Sequence, residues 1–154
     1  LKALCREIEY PILLLGGPED REVGNEIAAT DPVKIYNACG KFKLNESADL
    51  IRRARLVVTH DTGLMHVAAA FEVPQVAVFG SSSPLHTPPL NERSRVVWLK
   101  QDPDHQPALD CAPCFERTCP LGHMRCLHEI TPERVAHELA LVASPVGQTT
   151  PSNA

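Results

Sequence analysis

The residues best suited to chemistry lie in one octapeptide, Thr59-His60-Asp61-Thr62-Gly63-Leu64-Met65-His66. A β-branched apolar run, Leu56–Thr59, leads into it, and a helical stretch, Leu64–Phe71, leads out. A strand that turns straight into a helix leaves the first helical N–H groups without an acceptor, at the carboxyl end of the strand. The amides from Thr62 to Met65 would point at an anion, and Gly63 lets the backbone come close. A phosphate or diphosphate is the matching guest. Asp61 would repel that anion in direct contact; it suits capping the helix or accepting from neutral hydroxyls beside the phosphates. His66 follows about one turn into the helix, where its imidazole can donate to a phosphate or leaving oxygen. The same residue types also describe a capped strand-to-helix junction without a ligand, and a structural histidine. The pattern leaves both readings open.

Gly16-Gly17-Pro18-Glu19-Asp20 forms a second strand-to-helix turn. It lacks the G-x-G-x-x-G spacing of a dinucleotide site. Glu19, Asp20 and Glu22 either accept from ribose hydroxyls or complement the helix dipole. Phe42, between a strand and a helix, either faces a nucleobase or belongs to the core. Among the six cysteines, Cys111, Cys114, Cys119 and Cys126 crowd into one stretch, with His123 among them. Four thiolates, or three with His123, can surround zinc tetrahedrally, although the spacing matches no common zinc ribbon. Structural zinc, a reduced cluster without metal and disulfides all remain open, disulfides being the least suited to a chain without a secretory signal.

The elements that must position these residues alternate. Pro11–Leu15, Val33–Tyr36, Leu56–Thr59, Gln75–Phe79 and Val96–Leu99 read as short strands. Helices are expected after Pro18, where Val23, Ile27 and Ala28 recur at helical spacing, over Leu44–Arg53, and over Leu64–Phe71. Thr131-Pro132-Glu133 opens a last helix, with Val135, Leu139 and Val142 as its buried stripe. Such alternation predicts an α/β fold with a parallel sheet and helices on both faces. Residues 101–128 read as irregular, and from Ser144 onward a Pro/Gly/Ser/Thr tail reads as disordered.

Composition narrows the function classes. The chain has 154 residues, is 44% hydrophobic and carries a net charge of −4. That suits one globular domain and argues against nucleic acid as a partner, since such binders carry a basic excess. No apolar run approaches the length of a membrane span.

Taken in order, Leu14-Leu15-Gly16-Gly17-Pro18-Glu19-Asp20, the block Ala54–Ala70 around Asp61-Thr62-Gly63-Leu64-Met65-His66, Val78-Phe79-Gly80-Ser81-Ser82-Ser83-Pro84 and Thr87-Pro88-Pro89-Leu90 resemble glycosyltransferase family 9. The likeness runs to about Val142. It implies a GT-B architecture of two Rossmann-like halves, with residues 1–143 forming part of the C-terminal, nucleotide-sugar-binding half. Residues 101–128 would be a Cys-rich insert and 144–154 a disordered tail. By the same likeness, Asp61 holds donor sugar hydroxyls, and Thr62, Gly63 and Leu64 give amides to the diphosphate. His66 supports them, Phe42 meets adenine, and Glu22 or its neighbour Arg21 meets the ribose.

The implied chemistry is inverting heptosyl transfer from ADP-L-glycero-β-D-manno-heptose to the inner core of lipopolysaccharide. The acceptor would be lipid A–core, at the cytoplasmic face of the bacterial inner membrane, with peripheral membrane association. No cofactor is implied for catalysis. The family's catalytic aspartate belongs to the N-terminal half, so no catalytic residue is expected in this chain. The first strand of the donor half, with a phosphate-contacting lysine, is also expected to be missing, because Leu1–Glu9 reads as the helix that follows it. Two other readings stand beside this one: a zinc-stabilised binding module without activity, and another nucleotide-sugar transferase of the same fold.

Overall fold

The computed structural model describes residues 2–143. In chain order the elements are α1 (Lys2–Glu7), β1 (Ile12–Leu14), a 3-10 turn at Pro18–Asp20, α2 (Arg21–Ala28), β2 (Ile35–Asn37), α3 (Leu44–Arg53), β3 (Val57–His60) and α4 (Gly63–Ala70). They continue with β4 (Gln75–Val78), β5 (Ser94–Val97), a 3-10 turn at Leu99–Gln101, α5 (Arg125–His128) and α6 (Pro132–Ala143). The expected tail from Ser144 lies outside the described residues.

Every strand pair is parallel, as the alternation of elements requires. Ile12 faces Ile35 and Leu14 faces Asn37 in the β1–β2 pair. In the other sheet, ordered β3-β4-β5, His60 faces Val78 and Gln75 faces Ser94. The structure thus departs from one continuous sheet. The hydrogen-bonded ladder is interrupted, because no described strand pairs with both β1 and β3.

Packing ties the two sheets together from both sides. On one side, Leu4 of α1 joins Val76, Val97, Val135, Leu139 and Val142, while the adjacent Cys5 packs with Ile27 and Ile35. One short helix therefore serves both sheets. On the other side, Ile51 of α3 and Ala68 of α4 pack with Val73, and Leu15, Val57 and Leu64 close around them. Strand β4 is the best covered: Val76 and Ala77 are 0% exposed, as a strand buried on both faces should be. Gln75 is fully buried too, and its side-chain amide donates to the Met65 carbonyl at 3.3 Å, fixing α4 on β4.

Helix α6 buries Val135, Leu139 and Val142, the stripe its spacing predicts. Val33 and Val23 do not follow expectation. Val33 precedes β2 and is 99% exposed. Val23 is exposed because Gly24, one residue on and so about 100° around the helix, is the position that faces β2. A Cβ at residue 24 would lie 2.5 Å from the Asn37 side-chain oxygen, so only glycine permits that contact.

Candidate functional site

Strand β3 delivers the chain to the octapeptide, and α4 begins at Gly63, one residue earlier than the sequence pattern suggests. Thr62 is the N-cap residue, extended at φ −144° and ψ 165°, and its side chain makes no bond to the helix. Its hydroxyl instead lies 3.4 Å from the Thr59 hydroxyl. The Met65 N–H donates back to the Thr62 carbonyl at 3.1 Å. Among the described residues, nothing accepts from the amides of Gly63 and Leu64. A Cβ built on Gly63 would meet nothing within 4 Å, so the mouth of α4 opens onto free space.

Asp61 does not cap this helix. Its Oδ2 accepts a hydrogen bond from the Thr87 hydroxyl at 3.1 Å. The carboxylate thus turns to a hydroxyl of the neighbouring loop and away from the helix amides. Met65 is 0% exposed and anchors the helix, which turns His66 outward to solvent. The structure thus brings Asp61, Thr62, Gly63, Leu64 and His66 together at one strand end.

Phe42 and Glu22 stand apart, on the loop after β2 and at the start of α2. Neither makes a hydrogen bond or ion pair with the β3–α4 turn. Phe42 is 41% exposed, which removes the core reading and leaves its ring face accessible. Arg21 spends its guanidinium on the carbonyls of Cys39 and Gly40, each at 3.4 Å, and so ties α2 to the loop that carries Phe42. Glu22 is exposed and has no partner among the described residues, so it is the freer of the two neighbours. Asp20 accepts from the Gly17 N–H at 2.9 Å, a turn-closing role rather than a ligand role.

The cysteine stretch departs from the zinc expectation. Cys111, Cys114, Cys119, His123 and Cys126 do line one cavity of about 70 Å³. Yet among the described residues no three His, Cys, Asp or Glu side chains are grouped so as to hold a metal ion. Turn backbone N–H groups, led by that of Met124, favour the Cys119 thiolate and lower its pKa from the usual thiol value. The His123 Nδ1 accepts from the Arg125 N–H at 3.1 Å. Burial pushes the Cys126 thiol up, and the neighbouring sulfurs push it further. Every cysteine is a free thiol.

Thr87 is the site residue that sequence reading missed. Its signal was its position in the loop after β4, the strand beside β3: loops leaving adjacent parallel strands gather at one end of the sheet.

A parallel α/β scaffold with open helix amides at a strand's carboxyl end is the arrangement at which proteins of this class commonly hold phosphate groups. The profile of glycosyltransferase family 9 (heptosyltransferase) matches residues 1–125, and the chain belongs to that family. It is 37% identical over 142 residues to lipopolysaccharide heptosyltransferase 2 of Salmonella typhimurium, covering 90% of this chain and 38% of the relative. It is 38% identical over 134 residues to lipopolysaccharide heptosyltransferase 2 of Escherichia coli, covering 84% of this chain and 36% of the relative. The solved structure of E. coli ADP-heptose LPS heptosyltransferase II superposes with a TM-score of 0.75 at 34% identity, over 92% of this chain and 40% of that one. The chain thus spans well under half the length of these relatives. Among the described residues, no helix is long and apolar enough to cross a membrane.

Proposed function

We propose that this chain is the donor-binding part of a heptosyltransferase that uses an ADP-linked heptose and acts on the inner core of lipopolysaccharide. The open, unsatisfied amides of Gly63 and Leu64 beside the Asp61 carboxylate carry the reading. The amides, with Thr62 and His66, hold the diphosphate and stabilise the charge it gains as the glycosidic bond breaks. Asp61 accepts from sugar hydroxyls. The exposed ring of Phe42 offers adenine a face, and Glu22 accepts from the ribose. Asp61 and His66 are given to the donor in this reading, and the base for the acceptor hydroxyl is proposed to come from the family's facing domain. The acceptor is the lipid A–core, which puts the reaction at the cytoplasmic face of the inner membrane with peripheral contact only. No cofactor takes part.

The test is calorimetric titration of ADP and of ADP-L-glycero-β-D-manno-heptose into the wild-type chain and into the Asp61→Ala and His66→Ala variants. Wild type binds both ligands. His66→Ala weakens both, and Asp61→Ala weakens the ADP-heptose far more than ADP. Equal absence of binding in all three proteins overturns the reading.

A further inference from the structure

The loop between β4 and β5 is built to deliver one hydroxyl. Buried Ser83 is its hub: its carbonyl accepts from the His86 N–H at 3.1 Å and the Thr87 N–H at 3.3 Å, and its hydroxyl accepts from the Leu85 N–H at 3.3 Å. The resulting turn ends on Thr87. That hydroxyl has one proton and two nearby acceptors, Asp61 Oδ2 at 3.1 Å and the Ser83 carbonyl at 3.5 Å. The shorter, charge-assisted bond to the carboxylate takes the proton. Asp61 Oδ1 is left without a partner among the described residues.

The loop is in turn gripped by the stretch that carries the clustered cysteines. The Phe115 N–H donates to the Ser81 carbonyl at 2.8 Å, and the Phe115 ring stands 5.6 Å from that of His86. Phe115 adopts φ 58°, a left-handed conformation that a bulky residue keeps only when its surroundings hold it there. At the other end, a Cβ on Gly80 would lie 2.7 Å from Leu127, so the Leu127 side chain seats directly on bare backbone.

We infer that Thr87 is a positioning residue for Asp61, holding one carboxylate oxygen so that the other meets the donor sugar, and that Phe115 and Leu127 set where Thr87 stands. A half-buried aspartate without such a bond samples several rotamers, and ordering it in advance lowers the cost of binding. This rests on the proposed role of Asp61 and gives the cysteine stretch a mechanical task that needs no metal.

The test compares affinities for ADP and for ADP-L-glycero-β-D-manno-heptose in the 154-residue chain. The ratio of the two isolates the sugar's share, and the ADP value reports an intact fold. The proteins are wild type, Asp61→Asn, Thr87→Val, Thr87→Ser and Phe115→Gly; glycine accepts the left-handed backbone and removes the whole benzyl side chain. Thr87→Val should weaken ADP-heptose by about threefold to tenfold and leave ADP unchanged, the scale of an ordering hydrogen bond that does not itself touch the ligand. Thr87→Ser should restore the wild-type ratio, and Phe115→Gly should fall between. Wild-type ADP-heptose affinity in Thr87→Val, with Asp61→Asn impaired, overturns the inference while the donor-site reading stands. Loss of ADP affinity in Thr87→Val also overturns it, since the defect is then general. An unimpaired Asp61→Asn removes the role of Asp61, and this inference with it. An unimpaired Phe115→Gly beside an impaired Thr87→Val overturns the grip by Phe115 alone.

Discussion

Replacing Gly63 by alanine separates the fold from the site in one substitution. The glycine is the first residue of α4, and an added Cβ would touch nothing within 4 Å. The methyl group therefore costs no packing energy, and it restricts the unfolded chain. That kind of change stabilises by about 0.4–1 kcal/mol, which raises Tm by roughly 1–4 °C in a chain of this size. A diphosphate held by the amides of residues 63 and 64 must bring an oxygen to about 2.9 Å from nitrogen, through the space the methyl now occupies. Losing one charge-assisted bond of about 1.5–3 kcal/mol weakens ADP on the order of tenfold to a hundredfold. Thermal unfolding followed by circular dichroism and calorimetric ADP titration read the two effects separately. A variant at least as stable as wild type that binds ADP equally well refutes the claim that the mouth of α4 holds the diphosphate.

Two further expectations follow from perturbed ionisations. The backbone N–H groups aimed at Cys119, led by that of Met124, favour its thiolate, whereas burial opposes ionisation of Cys5, Cys39 and Cys126. As pH falls below the ordinary thiol range, Cys119 stays reactive longest; alkylation at neutral pH followed by peptide mapping should find it modified before those three, and the reverse order refutes the assignment. Arg134 bonds to Asp102 and holds its carboxyl below the usual range. A folded pKa below the unfolded one adds stability above the unfolded value, about 3.9, and loses it as pH falls through the folded value. Asp102→Asn should therefore lower Tm at neutral pH and flatten its fall on the acid side, and a Tm-versus-pH curve parallel to wild type down to pH 2 would contradict that.

Local signals made much of this fold readable. Helix α3 runs over Leu44–Arg53 as its periodicity requires, and α6 starts at Pro132, where an N-terminal proline costs no hydrogen bond. The β3–α4 turn was readable for the same reason, because both the strand and the helix announce themselves within a few residues. What escaped was non-local. The Thr87–Asp61 bond joins residues 26 apart in sequence, and no periodicity encodes it. The cysteine spacing left zinc, a metal-free cluster and disulfides open, because spacing registers ligand types without showing whether the fold groups them in space, and among the described residues it does not.

Exposure of the site follows from the same physics as its chemistry. Thr62 and Gly63 are exposed, and Asp61 is only half-buried. A helix dipole open to water contributes about 0.3–1 kcal/mol to holding an anion, far too little to support a reaction. Amide hydrogen bonds strengthen only when water is excluded and the effective dielectric falls. Such a surface reaches catalytic strength only where water is kept from it. On the proposed reading, the open mouth at Gly63 grips a ligand from one side only, and its hold strengthens only where water is excluded.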